Sequence, residues 1–122
     1  MKLRIKGNSI RFRLTKSEVD YFGDVGYLEE KTEFANTTLV YAIQNKLYGD
    51  ELSVEFSENK IIVSIPQHIT YEWVNSNHVS LQNEVETGYA KTLAVLIEKD
   101  FKCLDETGED QSDNYPNPLA EK

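Results

Sequence analysis

The sequence predicts an α+β fold of about eight short, mostly antiparallel strands and two short helices. In this reading two hairpin–helix–hairpin halves share one core. Three observations lead there. Apolar residues alternate with charged ones on both sides of Gly7-Asn8. A helix-start signal follows at once. The same order then returns about fifty residues later, with its apolar positions superposed.

The first element is a hairpin. Leu3 and Ile5 alternate with Lys2, Arg4 and Lys6; after the turn, Ile10, Phe12 and Leu14 alternate with Arg11 and Arg13. Period-two alternation around glycine–asparagine marks a two-residue turn, because those residues accept the positive φ it needs. The register sets Ile5 against Ile10, Arg4 against Arg11, Leu3 against Phe12 and Lys2 against Arg13. Thr15-Lys16-Ser17-Glu18 then reads as a capping box, flanked by Leu14 and Val19 at staple spacing. Gly23 or Gly26 should stop this helix, since glycine takes a left-handed cap at little cost. Strands are expected at 27–34 and 37–44.

The second half begins with Leu52, Val54 and Phe56, turns at Ser57-Glu58-Asn59-Lys60, and returns through Ile61, Val63 and Ile65. Pro66 suits a first helical position, where a missing N–H is no loss. Ile69 and Trp73 are four apart and share a helical face. Tyr71 and Trp73 read as core aromatics. Asn75-Ser76-Asn77 ends the helix. Strands should follow at about 78–83 and 90–99, with 84–88 as the loop. The 90–99 strand is apolar on both parities, so it should be central and covered on both faces.

A shift of 51 residues lays Leu3 on Val54, Ile5 on Phe56, Ile10 on Ile61, Phe12 on Val63, Leu14 on Ile65, Phe22 on Trp73 and Leu28 on Val79. Neither half buries much alone, so a shared core is the economical arrangement. The expected organisation is one globular domain over 1–103, with pseudo-repeats at 1–45 and 51–100, and an acidic tail at 104–122.

Two resemblances bear on this order. Lys6-Gly7-Asn8-Ser9-Ile10-Arg11-Phe12-Arg13-Leu14-Thr15-Lys16-Ser17-Glu18-Val19 is similar to the start of the AbrB/MazE swapped-hairpin family, and Phe56-Ser57-Glu58-Asn59-Lys60-Ile61-Ile62-Val63-Ser64-Ile65-Pro66 is similar to it again. The likeness spans roughly 2–34 and 52–83. It implies a single-chain pseudo-dimer of interlaced hairpins, DNA binding, and an acidic C-terminal segment that holds a protein partner. The whole chain also resembles an uncharacterised family of small bacterial proteins, through its opening and its Phe101-Lys102-Cys103-Leu104-Asp105 and Glu109-Asp110-Gln111-Ser112-Asp113 ending. That likeness carries no function.

Composition narrows the function classes. The 122 residues are 39% hydrophobic and 28% charged, with a net charge of -8. That acidity opposes non-specific nucleic-acid binding. Residues 1–17 nevertheless hold Lys2, Arg4, Lys6, Arg11, Arg13 and Lys16 and no acid. One cysteine, Cys103, excludes an internal disulfide. With no export signal, the expected compartment is the cytoplasm. No apolar run approaches the roughly 20 residues of a membrane helix, so no membrane partner is expected.

The candidate anion- or partner-binding residues are Arg4, Lys6, Arg11 and Arg13, with Asn8 at the turn. Like charges face each other across this hairpin, which is unfavourable and calls for something negative over them. Arginine forks suit carboxylate or phosphate. Internal candidates are Glu51 and Glu55, or Glu29 and Glu33, or the tail folding back. The tail's Asp105, Glu109, Asp110 and Asp113 form a candidate partner-binding arm, in the wrong pattern for a calcium loop. Tyr115-Pro116-Asn117-Pro118 after it suits an extended segment docked on the domain.

Glu30 has inward parity and is a candidate acid or base. Cys103, His68 and His78 match no metal or nucleophile spacing. No cofactor, metal or catalytic constellation is expected. A protein partner is expected, and nucleic acid is the alternative. The function expected is therefore a non-enzymatic binding module; the runner-up is a DNA-binding regulator or antitoxin of the AbrB/MazE kind. The second hairpin departs from a symmetric DNA reader, because it carries Glu55, Ser57, Ile62 and Ser64 where the first carries Arg4, Lys6, Arg11 and Arg13.

Overall fold

The computed structural model describes residues 1–100 together with 113, 115 and 116. Ten elements follow one another: β1 (Lys2–Ile5), β2 (Ser9–Leu14), α1 (Lys16–Val25), β3 (Tyr27–Glu33), β4 (Thr38–Lys46), β5 (Ser53–Ser57), β6 (Lys60–Pro66), α2 (Gln67–Val74), β7 (Ser80–Glu86) and β8 (Thr92–Lys99). The α+β class and the element count are those the sequence predicts.

The strands form two four-stranded sheets, ordered β1-β2-β8-β7 and β3-β4-β6-β5. Each sheet takes one hairpin from each half of the chain. Hairpin partners run antiparallel, while the central pairs β2/β8 and β4/β6 run parallel. The halves are thus interlaced, and neither owns a sheet. The order rules out a single mixed sheet.

Register follows the pattern in the residues. Lys2 faces Arg13, Leu3 faces Phe12, Arg4 faces Arg11 and Ile5 faces Ile10. The repeat offset of 51 holds through both first hairpins, then grows. Ile43 faces Val63 as Ile97 faces Phe12, so Ile43 corresponds to Ile97, 54 positions on. Leu28 accordingly corresponds to Leu81 rather than to Val79. The connection after α2, Asn75 to Val79, is four residues longer than the single Gly26 after α1 while α2 is two residues shorter, a net gain of two positions.

Inner faces meet over one core. Phe12, Leu14, Val95 and Ile97 come from one sheet, and Ile43, Ile61, Val63 and Ile65 from the other; Val19, Phe22 and Trp73 fill in from the helices. Phe12 sets its ring edge-on to Tyr41, centroids 6.1 Å apart. Among the described residues no buried side-chain polar atom lacks a partner.

The helices start and stop for local reasons. The Thr15 backbone donates to Glu18 Oε1 at 2.9 Å, and the Thr15 hydroxyl accepts from the Glu18 N–H at 3.4 Å, closing the capping box. Gly26, at φ +80°, ends α1. A Cβ there would sit 3.1 Å from Asn45 Nδ2, so both conformation and space favour glycine. Pro66 is not the first helical residue. It closes β6 opposite Lys46 in extended geometry (ψ 135°), and α2 begins one position later at Gln67. Tyr71 also departs from expectation. It is 73% exposed while Trp73 is 1% exposed, because the face shared by Ile69 and Trp73 turns Tyr71 outward. Strand β8 is central, yet only Val95, Ile97 and Lys99 are buried; Ala94, Leu96 and Glu98 sit half-covered on the outer face.

Candidate functional site

The basic residues gather on the outer face of the first sheet. Lys2, Arg4, Arg11 and Arg13 share a parity opposite the buried Ile10, Phe12 and Leu14. Core burial on one side forces the charges to the other. The turn between them has Gly7 at φ +54°. Asn8 there donates from Nδ2 to the Thr92 carbonyl at 2.6 Å, and its own carbonyl accepts from the Ala94 N–H at 3.1 Å. So Asn8 fastens the turn to the start of β8 and spends one amide N–H there.

Neutralisation comes from β8, across the parallel seam. Glu98 lies beside Arg13 in register. Its Oε1 accepts from Arg13 Nε at 2.6 Å and stands 3.7 Å from Arg11 Nε. Lys2 Nζ is 3.5 Å from Asp100. The acids expected in this role do not reach it: Glu29 and Glu33 are on β3 and Glu55 is on β5, both in the other sheet, and Glu51 precedes β5. One carboxylate therefore serves two guanidiniums. Among the described residues Arg4 and Lys6 meet no acid, and both are exposed. The face keeps a positive excess along its β1 edge.

This arrangement makes a direct prediction. Glu98→Gln leaves Arg4, Arg11 and Arg13 repelling one another with no local counter-charge. The expected loss of stability is small, about 0.5–1 kcal/mol, because the guanidiniums remain partly solvated. Added salt should shrink that loss by screening the repulsion. Chemical denaturation at low and high salt checks both.

The equivalent face of the second sheet has a different character. Glu55 and Ser57 on β5, with Ile62 and Ser64 on β6, occupy the positions of the basic residues. There Lys60 reaches the Tyr27 hydroxyl at 2.6 Å and lies 5.1 Å over its ring.

The C-terminal segment docks where it is described. The Lys16 N–H donates to the Asp113 carbonyl at 3.0 Å, and Ser17 donates from its backbone to Oδ1 at 3.2 Å and from its hydroxyl to Oδ2 at 2.5 Å. A carboxylate at the first turn of α1 is favourably placed against the helix dipole. The Ser17 hydroxyl, the largest cause, holds the Asp113 carboxyl below its ordinary range. Asp113 is thus spent on its own domain and is not a free partner contact. Asp105, Glu109, Asp110 and Cys103 lie outside the described residues.

Tyr115 follows. Its N–H donates to the Asp100 carbonyl at 2.8 Å, and its ring joins the core margin. Lys99, 6% exposed, stands 5.6 Å from the rings of both Tyr115 and Trp73, and donates to the Ser76 carbonyl at 2.9 Å. Burial lowers the Lys99 pKa. Burial, reinforced by Asp20 and Asp113, pushes the Tyr115 phenol up to about 12. A raised phenol pKa contributes stability below the ordinary value of 10.0, and that contribution fades as pH climbs toward 12. Asp113 acts in the opposite sense: its contribution is present above the ordinary carboxylate pKa and is lost as pH falls through the lowered one. Ultraviolet titration of the phenols should therefore show a late, alkaline step that disappears in Tyr115→Phe.

The other expected residues separate. Glu30 does have inward parity, and its carboxylate lies 3.2 Å from the Met1 ammonium, which also meets Glu18. It is ion-paired. His68 stands 3.8 Å from Asp50, and His78 4.0 Å from Glu72. Among the described residues no group of three His, Cys, Asp or Glu side chains is arranged to hold a metal. Among the described residues no helix is long and apolar enough to cross a membrane.

Sequence reasoning missed Glu98, although it sits within a predicted strand. The signal available was its parity with Arg11 and Arg13, which becomes meaningful only once β8 is known to lie beside β2. No curated protein and no solved structure matches the chain. A family model does match, over residues 1–119: the chain belongs to a family of unknown function (DUF7009).

Proposed function

We propose that the chain is a non-enzymatic binding module of the cytoplasm whose working face is the basic β1–β2 hairpin. Its ligand is an acidic segment of a protein partner. One observation carries this reading. Among the described residues Arg4 and Lys6 stand exposed with no acid within ion-pair distance, beside two arginines that share a single carboxylate. Carboxylates supplied from outside would relieve the cross-strand repulsion and gain charge-assisted hydrogen bonds.

The test is titration of a fluorescein-labelled, glutamate-rich peptide by anisotropy, with a labelled mixed-sequence duplex in parallel. The peptide should bind, weaken with salt, and weaken again in Arg4→Ala. No peptide binding at low salt would overturn the reading.

A DNA-binding regulator of the AbrB/MazE kind is the second reading. The interlacing of hairpins from the two halves supports it, since that resemblance implies such an arrangement. The charge asymmetry opposes it: Glu55, Ser57, Ile62 and Ser64 give the second hairpin no phosphate ligands. Steeply salt-dependent duplex binding, lost in Arg11→Ala, would move the assignment to this reading.

A further inference from the structure

A second surface stands apart from the basic hairpin. Strand β2 runs from that hairpin's turn toward α1, and where α1 meets α2 an open groove of about 1250 Å³ lies between them. The helices approach closely because Gly23 has no side chain; a Cβ there would come within 3.1 Å of Val74 Cγ1. Val25, Leu47 and Tyr71 line the groove and are 56%, 74% and 73% exposed. Polar side chains, Asn45, Gln67 and Asn75 among them, share the lining with these three. Beneath it, Thr70 is buried and spends its hydroxyl on Asn45 Oδ1 at 2.6 Å. The floor is thus closed, and the apolar side chains face outward.

The electrostatics of the groove have one sign. Its lining includes Asp20 and Asp24 and no lysine or arginine. Among the described residues neither aspartate meets a base. Asp24 also lies in the last turn of α1, where the helix dipole is negative and no basic residue is present. A carboxylate there is unfavourable to the free protein. On the α2 side His68, with Asp50 3.8 Å from it, and the Tyr71 phenol also line the groove.

We propose that this groove docks a basic, apolar segment of a partner protein: lysine or arginine against Asp20 and Asp24, and large apolar side chains over Val25, Leu47 and Tyr71. Charge complementarity selects the occupant. A cation supplies what the end of α1 lacks, and apolar side chains cover what the helices leave open. This site is independent of the basic hairpin, which takes the opposite charge.

The test uses the full chain and a fluorescein-labelled peptide of alternating leucine and lysine blocks, with a leucine–glutamate peptide of the same pattern as control. The lysine peptide should bind; the glutamate peptide, tried on the Arg4→Ala/Arg11→Ala chain so that the hairpin does not hold it, should not. Asp20→Asn with Asp24→Asn should weaken binding about tenfold or more. Glu84→Gln with Glu86→Gln, on β7, should leave it unchanged, as should Arg4→Ala with Arg11→Ala on the hairpin. Asp24→Asn should also raise the melting temperature of the free protein slightly, because it removes a charge opposed to the helix dipole. Retained binding in the Asp20/Asp24 variant, or equal binding of the glutamate peptide to the Arg4→Ala/Arg11→Ala chain, overturns the proposal. So does concentration-dependent self-association in sedimentation that Asp24→Asn abolishes, because the occupant would then be a second copy. Failure of the hairpin reading shows only with the acidic probe, so the two outcomes are distinguishable.

Discussion

Trp73→Ala is expected to cost about 3–5 kcal/mol, a large part of the stability of a domain this size. Three losses combine. The ring is 1% exposed at the junction of α2 with both sheets, so its removal leaves a cavity that the surroundings refill only in part. Its Nε1 donates to the Val79 carbonyl at 3.2 Å, a bond that holds the connection into β7. Its face also receives Lys99, whose buried ammonium would keep only the Tyr115 ring and the Ser76 carbonyl. Denaturant unfolding followed by far-ultraviolet circular dichroism measures the change. Tyr71→Ala, two residues away on the same helix, should stay within about 0.5 kcal/mol, because that ring is solvated. Equal losses at the two positions would refute the assignment of faces on α2.

The second large effect concerns cutting the chain. Fragments 1–50 and 51–122, separated in the exposed stretch after β4, should each fail to unfold cooperatively, yet recover native circular dichroism when mixed. Fragment 1–50 holds β2 and β4, but their parallel partners β8 and β6 are in the other fragment. Each fragment alone would leave a full strand edge unpaired in both sheets and half the core solvated. Recovery should depend on concentration, since a covalent link has become a binding equilibrium. Independent cooperative folding of either fragment would contradict the interlaced topology.

Much of this was legible in the residues, and the limit falls at a definite place. The first hairpin could be read to its register because Gly7-Asn8 and the alternation around it are local. The capping box of Thr15 and Glu18 and the stop at Gly26 are local too. Pairing of β2 with β8 is not: nothing near Arg13 announces a strand 85 residues away. For that reason Glu98 escapes a local reading, which points instead to three acids of the other sheet and to Glu51 before β5. The same limit hid the helical groove. Tyr71 lies in an aromatic-rich helix that reads as core, and its exposure becomes evident only once Trp73 has fixed the buried face. The repeat offset failed beyond the helices because loops change length without disturbing apolar parity.

The parallel seams also set the order in which the molecule can be completed. During synthesis β1, β2, β3 and β4 emerge long before β6 and β8 exist. Until then β2 and β4 carry open hydrogen-bonding edges and an uncovered apolar face. Contacts this distant in sequence slow folding, because loop closure must precede any gain from pairing. The chain is exposed to misassociation until its last strand is made. Since β8 also brings Glu98 to the basic hairpin, the finishing strand is the one that quiets the charge left standing by the first.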